Sequence, residues 1–303
     1  MARNNDTAVV AGIRLTHPER VLYAEQGVTK RDLAAYFEAM ADHILPYVAG
    51  RLISLVRCPQ GHEKACFFQR HASAGFPAEL RRLSVREKDG GEGEYLYIED
   101  VGGLVAAAQM GVLELHVWGS RIDDIERPDR LVFDLDPDPA VDFGKVKDAA
   151  VLVRDLLEEL GLESFALVTG GKGIHVVAPL MRQHEWPVVK AFAEAVAKRI
   201  AQDDPEHFIA TAAKEKRKGR IFIDYLRNER GASAIAPYSL RAREGAPLAW
   251  PVRWDELHSI RAAGQFCLAD ASPSSHEAWA NYGDVRQSIK KASLRTLGIA
   301  AGG

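Results

Sequence analysis

Apolar and polar residues recur along this chain with two separate periods. Alternation with period two at 52–57, 95–98, 112–118, 131–136 and 221–225 predicts strands. Segment 166–179 reads as strand, glycine-rich turn, strand. Helical spacing appears at 30–44, behind an N-cap at Thr29 with Asp32 in the first turn. It recurs at 101–110 and 186–200, and at 143–160, where Val146, Ala149, Ala150, Val153, Leu156, Leu157 and Leu160 make one apolar face before Gly161. A short helix is expected from Trp254, and a helical, basic tail from 285. Residues 1–12 read as a loose leader, and 84–94, rich in Glu, Lys and Gly, as a flexible hairpin or loop. No internal repeat is visible.

The strand at 131–136, stopped by Pro137, carries the most pointed chemistry. Its alternation puts Leu131, Phe133 and Leu135 on one face and Asp134 and Asp136 on the other. Residues two apart in a strand are roughly 6–7 Å apart at Cα, so both carboxylates can lean onto one ion. Like charges on a half-buried strand repel and lose hydration, and a divalent cation relieves both effects. The plainer reading is a strand end whose acids face water. Asp224, in the strand at 221–225, is a third candidate acid.

Composition narrows the class. With 303 residues, 47% hydrophobic and 27% charged, the chain suffices for one large domain or two lobes. The first residues lack the apolar run of a signal peptide, and the most apolar stretch, 101–118, is broken by Gln109, Glu114 and His116. Three cysteines do not make a disulfide framework, so a reducing cytoplasm and no membrane are expected. The net charge of -3 conceals segregation. Residues 121–160 carry six Lys/Arg against twelve Asp/Glu, whereas 51–88 carry eight against three and 214–220 five against one. An acidic centre with basic flanks suits metal held beside a polyanion, although charge runs also occur on solvated faces.

Other candidates carry their own alternatives. The turn Thr169-Gly170-Gly171-Lys172-Gly173 lacks a Walker or Rossmann pattern, yet its glycines let backbone N–H groups approach an anion, with Thr169, Lys172 and His175 as further donors. A tight hairpin with incidental polar residues is the alternative. Lys30, at a helix N-terminus, is either a phosphate clamp or a solvent-facing lysine. Cys58, His62, Cys66 and His71 have the composition of a zinc site without its tight Cys pair. The same loop reads as a basic segment with Phe67 and Phe68 as stacking rings or core residues. His116 shares a face with Glu114 and Trp118 and is either hydrogen-bonded or turned toward the acids.

Taken in order, Val21-Leu22-Tyr23 with Thr29-Lys30, Phe67-Phe68-Gln69, His116-Val117-Trp118, Phe133-Asp134-Leu135-Asp136-Pro137, Thr169 to His175, Phe222-Ile223-Asp224-Tyr225 and Pro237-Tyr238-Ser239-Leu240-Arg241 resemble the polymerase domain of bacterial ligase D, of the archaeo-eukaryotic primase superfamily. The resemblance runs from about Leu15 to Leu257. It implies an α+β fold of two adjoining lobes, about 13–110 and 111–260, the second built on an RRM-like antiparallel or mixed sheet, with 261–303 as a tail. It implies that Asp134, Asp136 and Asp224 are catalytic and hold two Mn2+ or Mg2+ ions. His116, Thr169, Gly171, Lys172, His175, Arg220, Ser239 and Arg241 would bind the NTP or dNTP. Arg20 and Lys30 would hold a DNA 5′-phosphate, and Phe67 and Phe68 would stack on template and base pair.

The same resemblance implies nucleotidyl transfer, preferring ribonucleotides, at gaps and broken ends in non-homologous end joining. Ku and an ATP-dependent DNA ligase would be the partners, at the nucleoid. Alternatives are a primase that starts chains de novo and a non-catalytic module for DNA ends. Three departures stand out: Thr169 where serine is usual, Arg20 for lysine, and Arg227 before Asn228 where glutamine is typical.

Overall fold

The computed structural model describes residues 7–272, 274 and 278–299. The chain packs as two units. The first comprises Met1–Val117, Ile235–Ala249 and Phe266–Ser275; the second comprises Trp118–Ala234, Trp250–Gln265 and His276–Gly303.

In the first unit, β1 (Thr7–Val10) and β2 (Ile13–Thr16) form an antiparallel hairpin, so these residues are not part of a loose leader. Its two-residue turn places Ala11 and Gly12 both at positive φ, the geometry that matches strand twist. Alanine is an uncommon choice there, which hides the hairpin from sequence; the Ala11 N–H is held by the Glu38 carboxylate at 3.0 Å. A small ribbon, β3 (Val21–Tyr23) with β4 (Val28–Thr29), leads into α1 (Lys30–Ala39). Thr29 and Asp32 make the expected capping box. The helix turns at Met40 into α2 (Ala41–Val48), so 30–44 is two helices.

The sheet of this unit contains β5 (Leu52–Arg57), β6 (Phe67–Gln69), β7 (Arg81–Arg86), β8 (Glu92–Tyr97) and β9 (Val112–Trp118), with α3 (Val101–Gln109) before β9. β5 is central, flanked by β8 and β9, and β6 also pairs with it. Most of 84–94 is ordered as the β7–β8 hairpin, with Ser84 opposite Glu94.

The second unit is a six-stranded mixed sheet built from β10 (Arg130–Pro137), β11 (Phe165–Val168), β12 (Ile174–Pro179), β13 (Phe208–Ile209), β14 (Ile221–Asp224) and, after β15 (Ser233–Ile235) returns the chain to the first unit, β16 (Trp250–Val252). The strand order is β13-β14-β10-β12-β11-β16, antiparallel except for β13 with β14. α4 (Phe143–Glu159) and α5 (Trp186–Asp203) pack on β10 and on each other. Leu131, Phe133 and Leu135 are fully buried on that face. The opposite face is left to Asp134 and Asp136. In the tail, helix is confined to α6 (Lys291–Thr296) among the described residues after 285, so the expected longer helix is absent there.

Candidate functional site

The register of three strands assembles the acidic cluster of the second unit. Asp134 stands directly opposite Asp224 on β14 and directly opposite His175 on β12. Residues opposed across a sheet point to the same face, so all three side chains meet there. Asp136 lies two residues on, opposite Phe222. Each acid has a cationic neighbour. Arg227 donates to Asp134 Oδ2 from Nε at 3.1 Å and Nη2 at 2.9 Å, and its Nε lies 3.3 Å from Asp224 Oδ2. His175 Nε2 is 3.4 Å from Asp134 Oδ1. Arg217, stacked 3.8 Å over the Phe222 ring, donates to Asp136 Oδ2 at 3.1 Å.

These neighbours split the titration of the acids. Burial works against ionised Asp134, but His175 and Arg227 overcome it and hold the carboxyl well below its ordinary range. Asp136 is pushed up by burial and by the charge on Asp134, which Arg217 and Lys172 offset only in part. Asp224 is also raised, chiefly by burial, with Arg227 opposing and Asp134 reinforcing. The cluster holds more negative charge than it comfortably ionises.

The turn between β11 and β12 lies beside it. Gly173 is required there, since a Cβ would fall 2.1 Å from the Leu135 carbonyl of β10. Gly170 has φ of 67°. The Thr169 hydroxyl donates to the Gly173 carbonyl at 2.9 Å and accepts from the Gly171 N–H at 3.3 Å. That leaves Lys172 exposed at the tip, close enough for its charge to be felt by Asp136. Arg220 immediately precedes β14, half-exposed.

The first unit carries a separate ionic cluster. Glu114 on β9, almost fully buried, accepts from His116 Nε2 at 2.8 Å, Arg241 Nε at 3.1 Å and the Ala242 N–H at 2.9 Å. Despite burial, these donors pull its carboxyl down to about 2. Glu114 was visible in the sequence beside His116, but nothing local announced Arg241 as its partner. The Phe68 ring packs edge-on against His116, with centroids 5.8 Å apart. Phe67 and Phe68 are 45% and 53% exposed, which removes the core-packing reading. The Arg57 guanidinium lies 5.1 Å from the Phe67 centroid. Ser239 is not open in the same way: its buried hydroxyl accepts from the Leu115 N–H at 2.8 Å and donates to the Leu240 carbonyl at 3.0 Å.

Lys30 is buried rather than solvent-facing. Its ammonium donates to the carbonyls of Thr16 and Gln109 at 2.9 and 3.1 Å. Burial and the nearby charge of Arg20 bring its pKa down to about 8. The Arg20 guanidinium itself donates to the Pro59 carbonyl at 3.0 Å. Two cations without a carboxylate among these contacts make an anion-seeking corner.

Cys58 and Cys66 are joined as a disulfide closing the loop between β5 and β6, a pairing that the count of three cysteines did not lead one to expect. His62 stacks on Tyr23 and His71 pairs with Glu87, so the four residues do not converge on a zinc ion. Among the described residues, no group of three or more His, Cys, Asp or Glu is arranged to hold a metal ion as it stands. The donor chemistry of Asp134, Asp136 and Asp224 nevertheless fits a hard divalent cation, because all three supply carboxylate oxygens and Arg227 already bridges two of them as a cation. No helix among the described residues is long and apolar enough to cross a membrane.

Comparison with known proteins bears on this arrangement. The family model described as the LigD primase-polymerase domain matches residues 29–281. The multifunctional non-homologous end joining protein LigD of Pseudomonas aeruginosa is 41% identical over 296 residues, covering 96% of this chain and 35% of that protein. Its counterpart in Mycolicibacterium smegmatis is 35% identical over 247 residues, covering 81% and 32%. The chain thus spans about a third of the length of these relatives. The solved structure of the polymerase domain from Mycobacterium tuberculosis ligase D in complex with DNA matches with a TM-score of 0.79 at 32% identity, covering 85% of this chain and 92% of that one.

Proposed function

The chain belongs to the LigD primase-polymerase domain family, and from that premise we propose that it is a nucleotidyltransferase extending DNA 3′ ends in non-homologous end joining. The observation that carries the reading is the register placing Asp134, Asp136 and Asp224 on one face of adjacent strands. Three carboxylates there, two with raised pKa, favour divalent cations over isolated ionisation. Asp134, Asp136 and Asp224 would hold two Mn2+ or Mg2+ ions. When bound, these supply a 3′-hydroxyl more easily deprotonated and charge compensation on the leaving pyrophosphate.

The protein's own groups do the remaining work. The exposed Lys172 ammonium at the tip of the 169–173 turn binds triphosphate oxygens, and His175 orients Asp134. In the first unit, Arg241 and His116, each hydrogen-bonded to Glu114, are nucleotide contacts. Phe67, supported by Arg57, and Phe68, packed edge-on against His116, are exposed and offer faces on which bases stack. Arg20 and Lys30 receive the 5′-phosphate across a gap; adding that anion relieves the repulsion between the two cations. Ribonucleotide preference, Ku and an ATP-dependent DNA ligase belong to the same proposal.

The test is single-nucleotide extension with Mn2+ on a gapped duplex, comparing ribo- with deoxynucleotides and phosphorylated with unphosphorylated gaps. Asp136→Ala is expected to abolish extension while sparing DNA binding, and Lys30→Met to erase the advantage of the 5′-phosphate. Undiminished extension by the Asp136 variant would refute the acidic site as the reaction centre.

A further inference from the structure

Arg227 occupies an unusual position. It lies in the 3-10 turn Leu226–Asn228, separated from β14 by Tyr225, and the backbone of that turn is pinned. The buried Asn228 side chain accepts from the Val132 N–H at 2.7 Å and donates to the Val132 carbonyl at 2.7 Å and the Tyr225 carbonyl at 2.9 Å. The turn is thereby fastened to β10 alongside the acids. The Arg227 side chain is less constrained. It is 39% exposed, and besides the two carboxylates it reaches the Ser233 carbonyl at a long 3.5 Å. Its guanidinium plane touches Asp134 through two nitrogens and Asp224 through one, so one positive group spans two acids that face each other across the sheet.

We propose that Arg227 is a resident counter-cation of the acidic site, which a divalent ion must displace from Asp134 and Asp224, and that it thereby sets the metal concentration at which the site loads. This rests on the reading of the three acids as metal ligands. The guanidinium and a metal ion compete for the same carboxylates. In the metal-free protein, the guanidinium neutralises carboxylates that would otherwise repel, so it lowers the energy of the empty state. A metal ion takes the same oxygens, and two cations cannot share them without repulsion. Binding of the ion and docking of Arg227 are therefore linked with opposite sign, and the linkage is reciprocal. The fixed turn and half-exposed side chain supply the means: a rotation of χ angles vacates the carboxylates while Asn228 keeps the backbone in place. Arg227 thus acts on metal loading through the acids it neutralises in the metal-free state.

The experiment titrates Mn2+ into the intact chain, following free Mn2+ by its electron paramagnetic resonance signal, with thermal unfolding measured in parallel. Arg227→Gln is expected to tighten Mn2+ binding about tenfold, to lower Tm without metal, and to show a larger metal-induced rise in Tm than the native protein. Arg227→Lys, with charge but no fork, is expected to fall between. In an Asp134→Asn background, Arg227→Gln should no longer lower the metal-free Tm to the same extent. Equal Mn2+ affinity in native and Arg227→Gln protein, with Tm lowered equally with and without metal, would reduce Arg227 to a structural brace and overturn the proposal while leaving the metal site standing. Absence of Mn2+ binding in both proteins would overturn the metal reading itself, and this inference with it.

Discussion

Glu114 and Asp134 are alike in their immediate chemistry. Each is a carboxylate within a strand, β9 or β10, and each is met by one histidine and one arginine: His116 and Arg241 for Glu114, His175 and Arg227 for Asp134. Both are held ionised against burial. The difference lies in what surrounds the trio. Glu114 also accepts the Ala242 N–H and has no second acid among its contacts, so its charge is fully answered and the cluster is closed. Asp134 shares its arginine with Asp224 and raises the pKa of Asp136, so its cluster retains unanswered negative charge. A carboxylate, a histidine and an arginine fix the position of two basic side chains in one unit and leave a cation-seeking site in the other. The number of neighbouring acids decides which.

Activity separates the two clusters most strongly. Replacing Asp134 with Asn should reduce extension of a gapped duplex by at least about 10³-fold, equivalent to several kcal/mol of lost metal stabilisation in the transition state. Glu114→Gln should act first on the fold. Removing the carboxylate of a buried ion cluster withdraws the counter-charge that faces Arg241 and His116, and urea unfolding should show a loss of about 3–5 kcal/mol.

Acid titration sharpens the contrast further. A carboxyl pulled down in the folded state contributes stability that is present above its unfolded value and lost as pH falls through the folded one. For Glu114 the window runs from its ordinary value of 4.5 down to about 2. On the order of 3 kcal/mol should disappear across it. Unfolding curves of native and Glu114→Gln protein should converge toward its acid end; parallel curves throughout would refute the closed cluster. The smallest effect carries the opposite sign. Asp136 has a raised pKa, so its ionised form is disfavoured by folding and its contribution worsens as pH rises through the carboxylate range. Asp136→Asn should raise the metal-free stability by no more than about 0.5 kcal/mol, because the group is half-exposed and screened. A loss instead would show that the ion pair with Arg217 outweighs the cost of burying the charge.

Periodicity alone determined the elements around the site and the facing of its acids. Leu131, Phe133 and Leu135 had to face away from Asp134 and Asp136 because a strand repeats every two residues, and the structure has them so. Thr29 and Asp32 declared the start of α1, and Gly161 the end of α4, since caps are local chemistry. The ordered set of motifs was enough to indicate the family.

Other features depend on residues far apart in sequence, and these only the tertiary structure decided. Asp134 meets Asp224 and Arg227 some ninety positions later because β14 pairs with β10 in one register. Glu114 meets Arg241 through the return of Ile235–Ala249 to the first unit. Lys30 is buried because Thr16 and Gln109 turn their carbonyls toward it, and Cys58 finds Cys66 because the β5–β6 loop closes. A side chain's periodicity reports which way it points. What it meets there is set by the register of strands and the return of distant segments, neither of which local sequence encodes.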